Sequence, residues 1–165
     1  MNEAALTQPV EYMARSRAYY RAQGYIRDYV WAHFEDVPFA RLRKPLGDCT
    51  VALISTSSPS QDATTQRFSG GMEVFSGASD PPPERMFTDD LAWDKQATHT
   101  HDLGSYFPIA VLRAFAEQGI VGSVARRYHC VPTVYSHRAT NEVDAPLIVR
   151  RCIEDGADAA ILVPL

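Results

Sequence analysis

Thr50-Val51-Ala52-Leu53-Ile54-Ser55-Thr56 is a short apolar, β-branched run, bounded by Gly47-Asp48 before it and Ser57-Ser58-Pro59 after it. A run of this length without polar alternation reads as a strand buried on both faces, parallel and central in its sheet. The polar residues at its carboxyl end stand where open α/β sheets place ligand-binding loops. Thr56 and Ser57 are therefore candidate substrate-binding residues, through their hydroxyl and backbone N–H groups. Downstream, Pro108 to Gln118 reads as a helix, with proline in the first turn, Gly119 as the stop and Val111, Leu112 and Phe115 on one face. Ile120 to Ala125 then reads as a turn and a second strand. Ala145 to Glu154 is a further helix, with Asp144 as its N-cap and Gly156 past its end, and Ala159 to Val163 a third buried strand. This order predicts an α/β fold: an open three-layer Rossmann-like domain with a mostly parallel sheet.

Upstream, the apolar and aromatic residues from Val10 to Phe34 follow a helical face interrupted at Gly24, and Pro38 and Pro45 mark a connector. The expected organisation is an N-terminal helical extension over 1–44 and the α/β domain over 45–165. Between Ser57 and Asp94 the chain is rich in loop residues, with Met72 to Phe75 as a short edge strand. A loop this long inside a compact domain is usually functional or partly disordered.

The 165 residues suffice for one domain with its own core. A net charge of −4 with no long run of like charges argues against a nucleic-acid partner, which normally shows a basic face. The basic residues that cluster between Arg15 and Lys44 read as a solvated helix face, or as a patch for an anionic substrate or an acidic partner. No stretch approaches the roughly 18 apolar residues of a membrane span, and the N-terminus lacks the pattern of a secretory signal. Cys49, Cys130 and Cys152 form no CxxC pair and are odd in number, which fits a reducing compartment and a cytoplasmic protein.

The chemistry concentrates in Thr98-His99-Thr100-His101-Asp102. In an extended segment His99 and His101 point to one side and can converge on a divalent metal, zinc or another first-row ion. Asp102 is then a third ligand or a hydrogen-bond partner that fixes a ring tautomer. Without a metal, His101 and Asp102 form an acid/base pair. His129 and His137 flank Cys130, so His129 and Cys130 are further catalytic candidates; neighbours on a strand face opposite ways, which makes His129 the poorer base for Cys130. Arg126 is placed at a strand's carboxyl edge, where it can hold a substrate carboxylate, whereas Arg150-Arg151 read as solvated and His33 as structural. With no Gly-rich dinucleotide fingerprint or P-loop, no nucleotide cofactor is expected.

Taken together, Pro45-Leu46 leading into Val51 to Thr56, then His99 and Asp102, Phe107-Pro108-Ile109 with Leu112, Gly119-Ile120-Val121-Gly122, His129, Glu154 to Ala159 and the run Ile161 to Pro164 resemble a known family. It is the selenoprotein B component family of the glycine, sarcosine, betaine and D-proline reductases. The likeness runs from about Pro45 to the C-terminus, and the block from Phe107 to Gly122 is its most specific part. In that family the strand matching Ile161 to Pro164 is followed by a selenocysteine or cysteine in a short redox motif, and this sequence ends at Leu165, just before that position. Either translation stops at a selenocysteine codon or the gene is short, or this branch has kept the scaffold and its histidine pocket without the reductive chemistry. The resemblance implies an enzyme acting on a small nitrogen- or sulfur-containing compound, by reductase, lyase or hydrolase chemistry. The alternative is a non-catalytic subunit docked on a larger enzyme component. A homodimer or a partner subunit is expected in either case.

Overall fold

The computed structural model describes residues 11–28, 30, 32–38, 40–59, 73–88, 100–134 and 136–164. The chain divides into two compact units, Met1–Pro38 and Phe39–Leu165, so the division falls a few residues before the one expected at 44/45. In the first unit, α1 (Tyr12–Ala22) ends where the sequence places its interruption: Gly24 has φ +90, a left-handed conformation that costs glycine nothing. Past that turn, the Arg21 guanidinium grips both carboxylate oxygens of Asp28, at 2.9 and 2.7 Å.

The second unit is built on β1 (Thr50–Ser55), the buried central strand that the sequence predicts. The other strands are β2 (Phe75–Ala78), β3 (Ser123–Val124), β4 (Arg127–Cys130) and β5 (Ala159–Val163). Together they form a five-stranded, mostly parallel sheet. β3 pairs with Thr50 and Val51, β4 with Ile54 and Ser55, both parallel and on the same edge of β1. β5 pairs in parallel along the opposite edge, from Val51–Ala159 to Ser55–Val163. β2 is antiparallel to β4 on its outer side. It lies a few residues beyond the expected Met72–Phe75 strand, and Met72 itself is outside the described residues.

The helices are α2 (Ile109–Glu117), a single turn α3 (His137–Ala139) and α4 (Ala145–Glu154). α2 stops at Gly119, whose φ of +71 supplies the left-handed residue that ends a helix. Alternate residues of β1 divide the interior in two. Val51 and Leu53 pack with Phe107, Ile109 and Leu112 from and around α2, and with Tyr128 and Cys130 of β4. Ile54 packs instead with Val74 and with Ile148 of α4. Leu53, Phe107 and Ile109 are essentially fully buried, and each such side chain is worth about 1.5–3 kcal/mol.

Several local expectations change. Asp144 does not cap α4: the helical path starts earlier, at α3, where Ser136 Oγ accepts from Ala139 N, and passes through a π-helical turn at Thr140–Asp144. β5 is not buried but lies at the sheet edge, with Ile161 41% and Leu162 69% exposed. The expected second strand is short, β3, and a further strand, β4, follows it; Arg126 lies after β3, between the two. Among the described residues no helix is long and apolar enough to cross a membrane.

Candidate functional site

The segment after β1 folds back on itself. Ser55 Oγ donates to the Tyr106 carbonyl at 3.1 Å, which leaves its lone pairs to accept from Ser57 N at 3.2 Å and Ser57 Oγ at 2.9 Å. Ser57 is 1% exposed, so this candidate spends its hydroxyl on shaping the turn. Thr56 beside it is half-buried. Ser58 then pairs with Phe87 through two backbone hydrogen bonds, 2.9 and 2.8 Å long. That bridge anchors Glu84 to Thr88 beyond the carboxyl end of β1.

Around this anchor lies a cavity of about 270 Å³, lined among others by Glu84, Arg85, Thr88, Thr100, His101 and Tyr106. The Thr88 and Thr100 hydroxyls meet at 2.8 Å and join its two sides. Tyr106 is buried and its hydroxyl reaches toward the Met86 carbonyl, at 3.5 Å. The Arg85 guanidinium stands 4.8 Å over the Phe87 ring, a cation–π contact that orients it. Cationic, acidic and hydroxyl groups thus line a half-open space just below the roughly 300 Å³ at which small-molecule pockets begin.

His101 is exposed and lines this cavity. Asp102 acts first on the backbone: its Oδ1 accepts from Gly104 N at 2.9 Å and its carbonyl accepts from Ser105 Oγ at 2.7 Å, which caps the short turn Leu103–Ser105. His99 lies outside the described residues. A metal would have to be held by His101 and Asp102 with His99 as a further donor. Among the described residues, which do not include His99, no group of three or more His, Cys, Asp or Glu side chains is placed to hold one.

His129 and Cys130 are not part of this cavity's lining, and the strand directs them to opposite faces. Cys130 joins the α2-side core, where burial pushes its thiol up to about 12 and suppresses the thiolate. His129 is fully buried, with Nδ1 2.7 Å from Ser76 Oγ, and that hydroxyl in turn accepts from Arg151 Nη1 at 2.7 Å. Burial, reinforced by the Arg127 and Arg151 charges against the opposing effect of Asp155, holds the imidazole below its ordinary pKa. Its Nε2 is buried without a hydrogen-bond partner. Arg151, read from sequence as solvated, is tied inward to Ser76 and to the Val74 carbonyl.

Arg126 does hold a carboxylate, but it belongs to the chain: Nε donates to Asp155 Oδ1 at 2.6 Å. Arg127 grips the same carboxylate from Nε at 2.9 Å and Nη2 at 2.7 Å. The guanidinium of Arg127 and, more weakly, that of Arg126 hold the Asp155 carboxyl below its usual range against the opposing effect of burial. The Glu84–Thr88 side of the cavity escaped sequence reading because the cues there were loop cues; only the length of the 57–94 excursion pointed to it.

Comparison with protein families, with curated proteins and with solved structures yields no match to this chain.

Proposed function

We propose that the chain is an enzyme of the reductase-B-like family that takes a small nitrogen- or sulfur-containing compound into the cavity beside His101. One observation carries the reading: the cavity lies beyond the carboxyl end of β1, through the Ser58–Phe87 bridge and the Ser55–Tyr106 hydrogen bond. In open α/β sheets this edge is where ligands bind, at the point where successive connections leave a central strand in opposite directions. β1 has that position, with β4 on one edge and β5 on the other. Residues of α2 and α4 pack against alternate faces of β1, which supports a doubly wound, three-layer, Rossmann-like arrangement.

In the acid/base form of the site, His101 exchanges a proton with the substrate, an imidazole nitrogen being able both to donate and to accept one. Asp102 holds the turn that presents His101, and Arg85 and Glu84 are the charged groups available to orient a polar substrate. His129 and Cys130, on which catalysis was also expected to draw, act in this reading as interior packing. In the metal form, His99 joins His101 and Asp102.

The test is a binding screen of small amines, N-methylated amino compounds and thioethers by calorimetry, on the native chain, His101→Ala and Arg85→Ala. Saturable binding weakened at least about tenfold by both substitutions is expected; binding unaffected by both refutes the cavity as the site. Metal analysis of the native chain, His99→Ala and His101→Ala separates the two forms. Stoichiometric metal lost in both variants establishes the metal form, and no stoichiometric metal removes it. The rival reading, a non-catalytic subunit docked on a larger enzyme component, draws on the exposed apolar residues of β5; it replaces the enzyme reading where no compound binds.

A further inference from the structure

Among the described residues β5 pairs only with β1, which leaves its other edge without a strand partner. Asp158 N donates to Thr50 O, so by alternation Ala160 and Leu162 also turn their N–H and C=O toward β1. Ala159, Ile161 and Val163 turn theirs outward. Within Ala159–Val163 there is no charge, proline or bulge to block pairing along the edge; Asp158 and Pro164 bound it at either end.

Both flanking helices are turned the same way. On α2, Arg113 reaches toward the β2 end of the sheet, to the Ser79 carbonyl and the Asp80 carboxylate. At 100° per residue, Phe115 and Val111 then lie on the side of α2 nearer β5. On α4, Arg151 reaches Val74 and Ser76 at β2, which leaves Val149 and Ile153 on the β5-ward and outer side. All these apolar residues are uncovered: Val111 49%, Phe115 41%, Val149 56%, Ile153 71%, Ile161 41% and Leu162 69% exposed. Apolar surface thus borders the free strand on both faces of the sheet.

We propose that this edge is the interface between two copies of the chain, joined β5 to β5 into one continuous sheet. The occupant is a second copy because the strand complements itself. A two-fold axis through Ile161 makes the pairing antiparallel and sets Ala159 opposite Val163 and Ala160 opposite Leu162, a small side chain against a larger one each time. The outward-turned residues then face one another as 159–163, 161–161 and 163–159, the hydrogen-bonded pairs of an antiparallel ladder. The two Asp158 carboxylates fall at opposite ends of the ladder and do not repel. The same axis brings α2 beside its counterpart on one face and α4 beside its counterpart on the other. The six residues expose on the order of 600 Å² per copy, an upper bound on what their side chains can bury, and with the edge backbone the pair approaches the lower end of stable interfaces, about 1,200 Å² in total.

The experiment is sedimentation equilibrium of the full chain from about 1 to 100 μM, with Ile153→Lys/Leu162→Lys as the comparison. Both residues are exposed in a single copy, so the lysines leave the fold intact, checked by far-UV circular dichroism. The native chain is expected at twice the chain mass and the double lysine variant at the chain mass, with an association constant at least about 100-fold weaker. A native chain that stays monomeric throughout, including one that pairs only with some other protein, overturns the proposal, as does a dimer the lysines do not split. Ala160→Cys/Leu162→Cys tests the register. Positions 160 and 162 of the two copies become directly opposed, so oxidation yields a covalent dimer; its absence in a dimeric sample refutes pairing about Ile161.

Discussion

Gly122 offers the sharpest test of how β3 is seated. A Cβ added there would lie 2.7 Å from Asp48 C, 2.8 Å from Cys49 N and 2.9 Å from Cys49 O, all backbone atoms. Ordinary contacts begin at 3.4 Å, so the two chains must part by roughly half an ångström or more. The segment is held where it is: Gly122 N donates to Leu46 O and Ser123 N to Cys49 O, each at 3.1 Å, and Cys49 is fully buried. Parting them lengthens both bonds and strains the start of the β1–β3 pairing. Overpacking of this kind costs about 1–3 kcal/mol. Gly122 is not among the positive-φ glycines, so alanine also restricts the unfolded chain, which offsets about 0.4–1 kcal/mol. Gly122→Ala is therefore expected to destabilise by about 1–2 kcal/mol, lowering Tm by roughly 3–10 °C for a domain of this size. Calorimetry and urea unfolding with an unchanged m-value measure it. A Tm equal to or above that of the native chain would refute the close approach of Gly122 to the Asp48–Cys49 backbone.

Stability should also depend on pH through His129. Its folded-state pKa lies below the ordinary value, so the unfolded chain binds the proton first. The contribution is fully present above about pH 6.5 and is lost as pH falls from there toward the folded value, with a slope of at most about 1.4 kcal/mol per pH unit. Urea midpoints between pH 8 and 5 should show this slope, and His129→Gln should flatten it; an equally steep slope in the variant counts against the assignment. Asp155→Asn should cost about 1–3 kcal/mol, less than a fully buried pair because Arg127 retains some exposure. Arg126→Ala, on an arginine 68% exposed, should stay within about 0.5 kcal/mol; urea midpoints that rank the two in reverse would contradict the network.

How much of this was readable in advance follows from which forces act locally. Thr50 to Ser55 and Ala145 to Glu154 declare themselves through composition and punctuation confined to a few residues, and the structure places those elements where the pattern does. The capping of α4 was misread because Asp144 has the right chemistry for a cap while the helical path begins earlier, at Ser136. β5 has the composition of a buried strand, yet what lies beside an apolar strand depends on the rest of the sheet. Arg151 reads as solvated from its helical position alone; only the approach of β2, far off in the chain, gives it partners. In the candidate site His101 was legible as chemistry, but Arg85 and Thr88 reach it through the Ser58–Phe87 bridge, a contact between two loops that no periodicity announces.

The break between β3 and β4 constrains how this domain can vary. Along β1, Val51 and Ile54 are separated by two residues, while their partners Val124 and His129 are separated by four. The surplus is even, so the in–out parity of the strand survives the interruption. Val124, Tyr128 and Cys130 stay on the α2 side and His129 stays under α4. Losing or gaining a single residue at Ala125-Arg126 would exchange the two sets, driving a tyrosine toward Arg151 and an imidazole into the apolar core. Length changes at this point can therefore be tolerated only in steps of two, and an odd one is a frameshift written in three dimensions.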